Sequence, residues 1–198
     1  MPRIIDYERV LPALTSRGLQ SLYHNSGSFG FAADLYCGWI GPPDGTLKDT
    51  ARAVARRVPE PHSANLARLL QRAWMTLLPG AIWIMPGSHW SYELDHSSHV
   101  WMPDALREIG IDPAALQSRN NAAAIEFELS ESRVAMTFVE RLLDQLFSSD
   151  FTAAFPDHPA ICTIHHHRQL WWRTNDAALR DRLLQLPEDE FGQVVCDD

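Results

Sequence analysis

Histidine and tryptophan crowd into two short stretches of this chain. Trp83, His89, Trp90, His96, His99 and Trp101 fall in the first, and His165, His166, His167, Trp171 and Trp172 in the second. Imidazole can ligate a metal or exchange a proton, and indole joins a wide apolar ring to a single N–H donor. Such residues line pockets and interfaces. Metal chemistry is tested first, by ligand spacing. Asp95-His96-Ser97-Ser98-His99 and His165-His166-His167 supply nitrogen and oxygen donors, and on a strand His165 and His167 project the same way. A site made from His96, His99, His165 and His167, with Asp95, would suit a metal-dependent hydrolase. No His-Glu-x-x-His signature accompanies it, and three adjacent histidines in a turn are commonly solvated. The expectation is therefore no metal and no cofactor.

Nucleophilic chemistry finds less support. Gly-x-Ser-x-Gly is absent. Cys162 and His165 differ by an odd number of positions, so a strand sends them to opposite faces, against a Cys-His pair. Ser26-Gly27-Ser28-Phe29-Gly30 lacks the Lys-Ser/Thr ending of a phosphate-binding loop and reads as a turn. Glu126 and Glu128 share one face of a strand-like run opposite Ile125, Phe127 and Leu129; a solvated face explains them better than an acid–base pair. Lys48, Arg52, Arg56 and Arg57 give one expected helix a basic, solvated side.

The elements that must position these residues follow from periodicity. Residues 4–23 read as helical pieces capped by Asp6 and interrupted at Pro12. A strand is expected between Phe29 and Ile40, then a break at Gly41-Pro42-Pro43-Asp44-Gly45. Leu47, Ala51, Val54, Ala55 and Val58 recur at helical spacing behind Thr46 and Asp49. Leu66, Leu69, Leu70, Ala73, Trp74, Leu77 and Leu78 form one helix face, with Asn65, Arg68, Gln71 and Arg72 opposite and Pro79-Gly80 as the stop. Met102-Pro103-Asp104 and Asp112-Pro113 each begin a short helix. Ala122–Leu129 reads as a strand. Ser130 is expected to cap a helix with Ala135, Phe138, Val139, Leu142, Leu143 and Leu146 on its core face. Asn175 is expected to cap a last helix that ends near Leu186.

Two segments read as β-hairpins, and their registers decide which side chains share a face. With Pro86-Gly87-Ser88 as a three-residue loop, Ile82, Ile84, Trp90, Tyr92 and Leu94 fall on one face, and Trp83, Met85, His89, Ser91 and Glu93 on the other. With His166-His167-Arg168 as the second loop, Ile164 pairs with Leu170 and Cys162 with Trp172. The reverse face then carries Ile161, Thr163, His165, Gln169, Trp171 and Arg173. If the hairpins share a sheet, Trp83, His89, Glu93, His165, Trp171 and Arg173 form one aromatic and polar surface suited to binding. The competing expectation is that a helix or a long loop covers that face.

Composition sets the frame. The chain has 198 residues, 45% of them hydrophobic, which is enough for one sizeable core. Its formal charge is −8, and five of its 25 acids lie between Glu188 and Asp198. An acidic chain is a poor partner for a nucleic-acid backbone. No apolar run is long enough to span a membrane, and the start of the chain does not read as a signal peptide. Cys37, Cys162 and Cys196 are odd in number and form no Cys-x-x-Cys, which points to reduced thiols and a cytoplasmic protein.

The sequence therefore predicts an α+β fold: an antiparallel or mixed sheet of two β-hairpins and one or two further strands, with helices packed on it. Residues 1–186 are expected to form one domain, and 187–198 an acidic tail. The expected function is binding of a small molecule or a protein through the aromatic, histidine-bearing sheet face. A metal-dependent hydrolase and a homodimer subunit are the alternatives.

Overall fold

A computed structural model describes residues 1–19, 36–40, 55–56, 58–119, 121–192 and 196–197. In chain order the elements are β1 (Arg3–Ile5), α1 (Tyr7–Ser16), β2 (Tyr36–Ile40), β3 (Ala55–Arg56), α2 (His62–Thr76), β4 (Ile82–Pro86) and α3 (Trp90–Asp95). They continue with α4 (Met102–Glu108), α5 (Pro113–Gln117), β5 (Ala124–Phe127), α6 (Ser132–Gln145), β6 (Phe151–Phe155), β7 (Ala160–His165), β8 (Gln169–Thr174), α7 (Ala177–Phe191) and β9 (Cys196–Asp197). The strands form one sheet in the order β1-β5-β4-β6-β7-β8-β2-β3-β9. All its pairings are antiparallel except β2 with β3. This is the α+β architecture that the sequence predicts.

The second hairpin forms in the expected register. Cys162 lies opposite Trp172, and Ile164 opposite Leu170. Arg168 closes the three-residue loop at φ 59°, and its N–H donates to the His165 carbonyl at 3.0 Å. A residue in the left-handed region is what a three-residue hairpin loop needs at its last position.

The first hairpin does not form. β4 ends at Pro86, and its neighbours in the sheet are β5 and β6. Residues 90–95 are helical instead. Trp90, Tyr92 and Leu94 alternate as a strand would, but Trp90, Glu93 and Leu94 also satisfy the i, i+3, i+4 spacing of a helix. The ends of the segment decide between the two periods. Pro86 offers no N–H to continue a ladder, and the His89 ring caps the helix by accepting the Tyr92 N–H at 3.0 Å. Trp90 is core as expected, whereas Tyr92 is 43% exposed rather than buried.

Register divides the sheet into two chemically different faces. On one lie Ile82, Ile84, Ile125, Phe127, Phe151, Ala153, Phe155, Cys162, Ile164, Leu170 and Trp172. They pack with Leu66, Leu69, Leu70 and Trp74 of α2, Phe138, Val139 and Leu142 of α6, and Leu179 and Leu183 of α7. Fully burying one such side chain contributes about 1.5–3 kcal/mol, so this side holds the main core. Asn65, expected on the solvent side of α2, is buried because its amide donates to the Pro59 carbonyl at 2.9 Å.

Local ends differ from expectation in instructive ways. α1 passes through Pro12 as one helix, and Ile4 and Ile5 belong to β1 rather than to a helix. Glu128 and Glu131 form a reciprocal capping box ahead of α6, so Ser130 is not the cap. Asp176 rather than Asn175 caps α7, accepting the Ala178 and Leu179 N–H groups. α7 continues past the expected boundary at 187: Pro187 is buried, and Phe191 packs against the core. The expected helix over 46–58 meets a strand at Ala55–Arg56. Residues 46–54 and Arg57, and so Lys48 and Arg52, lie outside the described residues, as do the loop at 26–30 and the break at 41–45. No helix among the described residues is long and apolar enough to cross a membrane.

Candidate functional site

The second sheet face is polar, yet it is buried. Along the register run Trp83, Ala154, Ile161 and Arg173 in one row, and Met85, Thr152, Thr163 and Trp171 in the next, with His165 opposite Gln169 at the end. α1 covers the part nearest β4, where Val10 and Leu14 pack with Leu19, Trp83, Met85, Ala154 and Ile161. Four of the six residues that the sequence placed on a binding surface, Trp83, His165, Trp171 and Arg173, do share this face. The face is not open at any of them: Trp171 and Arg173 are 0% exposed, His165 3% and Trp83 7%. Strand alternation reports parity, and parity cannot report what packs on top.

Glu126 belongs to the same face and corrects a second expectation. It is buried, accepts the Trp83 indole N–H at 2.7 Å, and is ion-paired with Arg3. β1 creates this environment by adding a strand outside β5, with Arg3 opposite Glu126. Burial of the carboxylate is tolerated because both oxygens are occupied.

Thr152 and Thr163 stand opposite each other in the middle of the face, 0% and 1% exposed. Neither hydroxyl has a hydrogen-bond partner among the described residues. A buried hydroxyl left unmatched costs about 1–3 kcal/mol, so two side by side are unusual. The Trp172 indole N–H is also unmatched, but it stands alone in the apolar core.

His89 and Glu93 leave the sheet surface because α3 replaces the expected strand. Glu93 is fully buried and sits at the centre of a closed network. It accepts the Ser88 hydroxyl at 2.7 Å and the Ser149 hydroxyl at 2.9 Å, and its Oε2 lies 3.2 Å from His99 Nδ1. His99 Nε2 meets the Phe147 backbone twice, lying 3.1 Å from its N–H and 3.2 Å from its carbonyl oxygen. This group ties α3 and the 96–99 turn to the 147–149 segment. Outside it, His89, Tyr92, His96 and Phe147 form a ladder of rings at centroid spacings of 6.0, 5.6 and 6.4 Å.

The other histidine group lies at the tip of the β7–β8 hairpin. The His165, His166 and His167 rings have centroid separations of 4.3, 4.9 and 4.2 Å. Asp150 Oδ1 accepts the His166 backbone N–H at 3.1 Å and lies 2.8 Å from His166 Nδ1, and Oδ2 lies 3.9 Å from His165 Nε2. The His167 N–H donates to His165 Nδ1 at 3.1 Å. Among the described residues, only these three histidines form a group whose ligand atoms lie mutually within 4.8 Å. His96 and His99 neighbour each other, not this group. The four-histidine set considered from sequence is therefore two separate pairs. Sequence reasoning missed His166 and Asp150: strand parity sent His166 away from His165, and the turn brings it back.

Comparison with protein-family models, with curated proteins and with solved structures yields no match. The class that fold and geometry define is an α+β protein with a largely antiparallel sheet, one face apolar and the other polar and buried.

Proposed function

We propose that this protein is a small-molecule-binding module whose ligand is held against the polar sheet face, at Thr152, Thr163 and Trp171. The carrying observation is the adjacent pair of buried hydroxyls without partners. Ligand sites combine flat apolar area with a few convergent polar groups, and Trp171, Met85 and the two threonines make that combination. Trp83, His165 and Arg173 extend the same face. Buried hydroxyls without protein partners are groups that a bound molecule can match. The reading includes a cytoplasmic location, supported by the odd number of cysteines and the absence of a Cys-x-x-Cys pair in the sequence.

The test pairs wild type with the Thr152→Val/Thr163→Val variant. Small molecules released from natively purified protein are identified by mass spectrometry and returned in thermal-shift assays. The expected result is a molecule that copurifies with wild type and raises its Tm, and that does neither for the variant. No copurifying molecule, or one that stabilises both proteins equally, contradicts the reading.

A further inference from the structure

We infer that the tip of the β7–β8 hairpin is a binding site for a single divalent transition-metal ion of the zinc type, with His165, His166 and His167 as ligands and Asp150 as the orienting carboxylate. Three features meet there. First, the donor atoms are already gathered. Consecutive residues on a strand point to opposite faces, but here the turn after His165 places three imidazoles within 4.8 Å of one another by their ligand atoms. Tetrahedral zinc with nitrogen bonds of about 2.0–2.1 Å has its donors about 3.3 Å apart, so side-chain rotations of modest size close the site.

Second, the tautomer of His166 is set for ligation. Its Nδ1 lies 2.8 Å from Asp150 Oδ1. With the hydrogen on Nδ1 facing the carboxylate, the Nε2 lone pair is presented outward. This is the carboxylate–histidine arrangement that orients metal-binding imidazoles and raises their basicity. Asp150 is itself held: its backbone carbonyl accepts the Gly87 N–H at 2.7 Å, and its Oδ1 accepts the His166 N–H.

Third, access and rigidity coexist. His165 is buried at the end of β7, His166 is half-buried and His167 is exposed, so an ion enters from solvent onto a rigid base. A donor set of imidazoles with a carboxylate behind them suits zinc, cobalt, nickel or copper rather than calcium or magnesium, which take oxygen ligands. Ion entry displaces the His167 N–H bond to His165 Nδ1 when that imidazole turns to the metal.

Zinc uptake by untagged chain is measured in equilibrium dialysis with elemental analysis, and Co2+ absorption reports the coordination. Wild type is expected to take up about one saturable equivalent, with the intense visible bands of four-coordinate Co2+. His166→Ala and His167→Gln should lose both signals while keeping the wild-type circular dichroism. Asp150→Asn should weaken binding by about ten- to hundredfold. His96→Ala and Thr152→Val/Thr163→Val should bind as wild type does, which separates this site from the small-molecule reading. Absence of saturable wild-type uptake, uptake unchanged in His167→Gln, or loss in His96→Ala overturns the inference. If His166→Ala does not fold, the exposed His167→Gln variant decides alone.

Discussion

The two faces of the sheet are built from the same strands and are both buried, yet they differ in chemistry. Ile84, Ala153, Cys162 and Trp172 make one row, and one residue further along each strand Met85, Thr152, Thr163 and Trp171 make the next. The first row is what closure of a core requires. The second carries hydroxyls that closure does not need, and their cost has to be offset elsewhere. Burial alone therefore does not describe a face; the match between its polar atoms and their partners adds a second distinction. The histidines repeat the lesson. His99 is enclosed between Glu93 and the Phe147 backbone, and its Nε2 is engaged by that backbone. His165, His166 and His167 instead crowd together at a hairpin tip, two of them beside the Asp150 carboxylate.

The largest stability losses are expected at the buried aromatic and apolar positions of the two faces. Trp171→Ala should cost about 3–5 kcal/mol, as truncation of a fully buried tryptophan does. A urea midpoint near wild type would show that the polar face is not packed. On the opposite face Ile164→Ala should cost about 2–4 kcal/mol, read in the same titration. A negligible loss there would remove the apolar face as the main core.

Glu93→Leu sharpens the contrast between the histidine groups. It leaves the Ser88 and Ser149 hydroxyls without their acceptor, so the expected loss is about 1–3 kcal/mol. Hydrogen exchange should quicken at Phe147 and Ser149, and unchanged exchange would mean that the network does not hold that segment. A smaller effect is expected at the end of α7. Phe191→Ala removes only a partly buried ring packed on the core, so the midpoint should shift by about 1 kcal/mol or less. A larger loss would make the end of the chain integral to the core.

Much of the fold was legible because its elements are governed by local chemistry. β7 and β8 alternate cleanly and are joined by an odd loop, so their pairing and both faces follow from residues 160–174 alone. α2 and α6 carry continuous apolar stripes. Asp112 with Pro113 at the first helical position announces α5. Residues 90–95 were not legible because six positions satisfy both periods, and the deciding contacts come from Pro86 and His89. β1 is only three residues long, and its partner β5 lies more than a hundred positions away. Four members of the candidate site were legible by parity. Thr163 was placed on that face, but its missing partner, like that of Thr152, depends on what surrounds it. Asp150 meets the histidine cluster only through the sheet pairing of β6 with β7.

The proposed site requires that the Thr152 and Thr163 hydroxyls serve a ligand rather than stability. The most direct measurement is equilibrium urea unfolding of ligand-free Thr152→Val/Thr163→Val beside ligand-free wild type. Valine matches threonine in shape, so if the hydroxyls are unmatched the midpoint should stay level or rise, by an amount on the order of 1 kcal/mol. A fall of about 1 kcal/mol or more would show that the hydroxyls already make structural hydrogen bonds, and would contradict the claim.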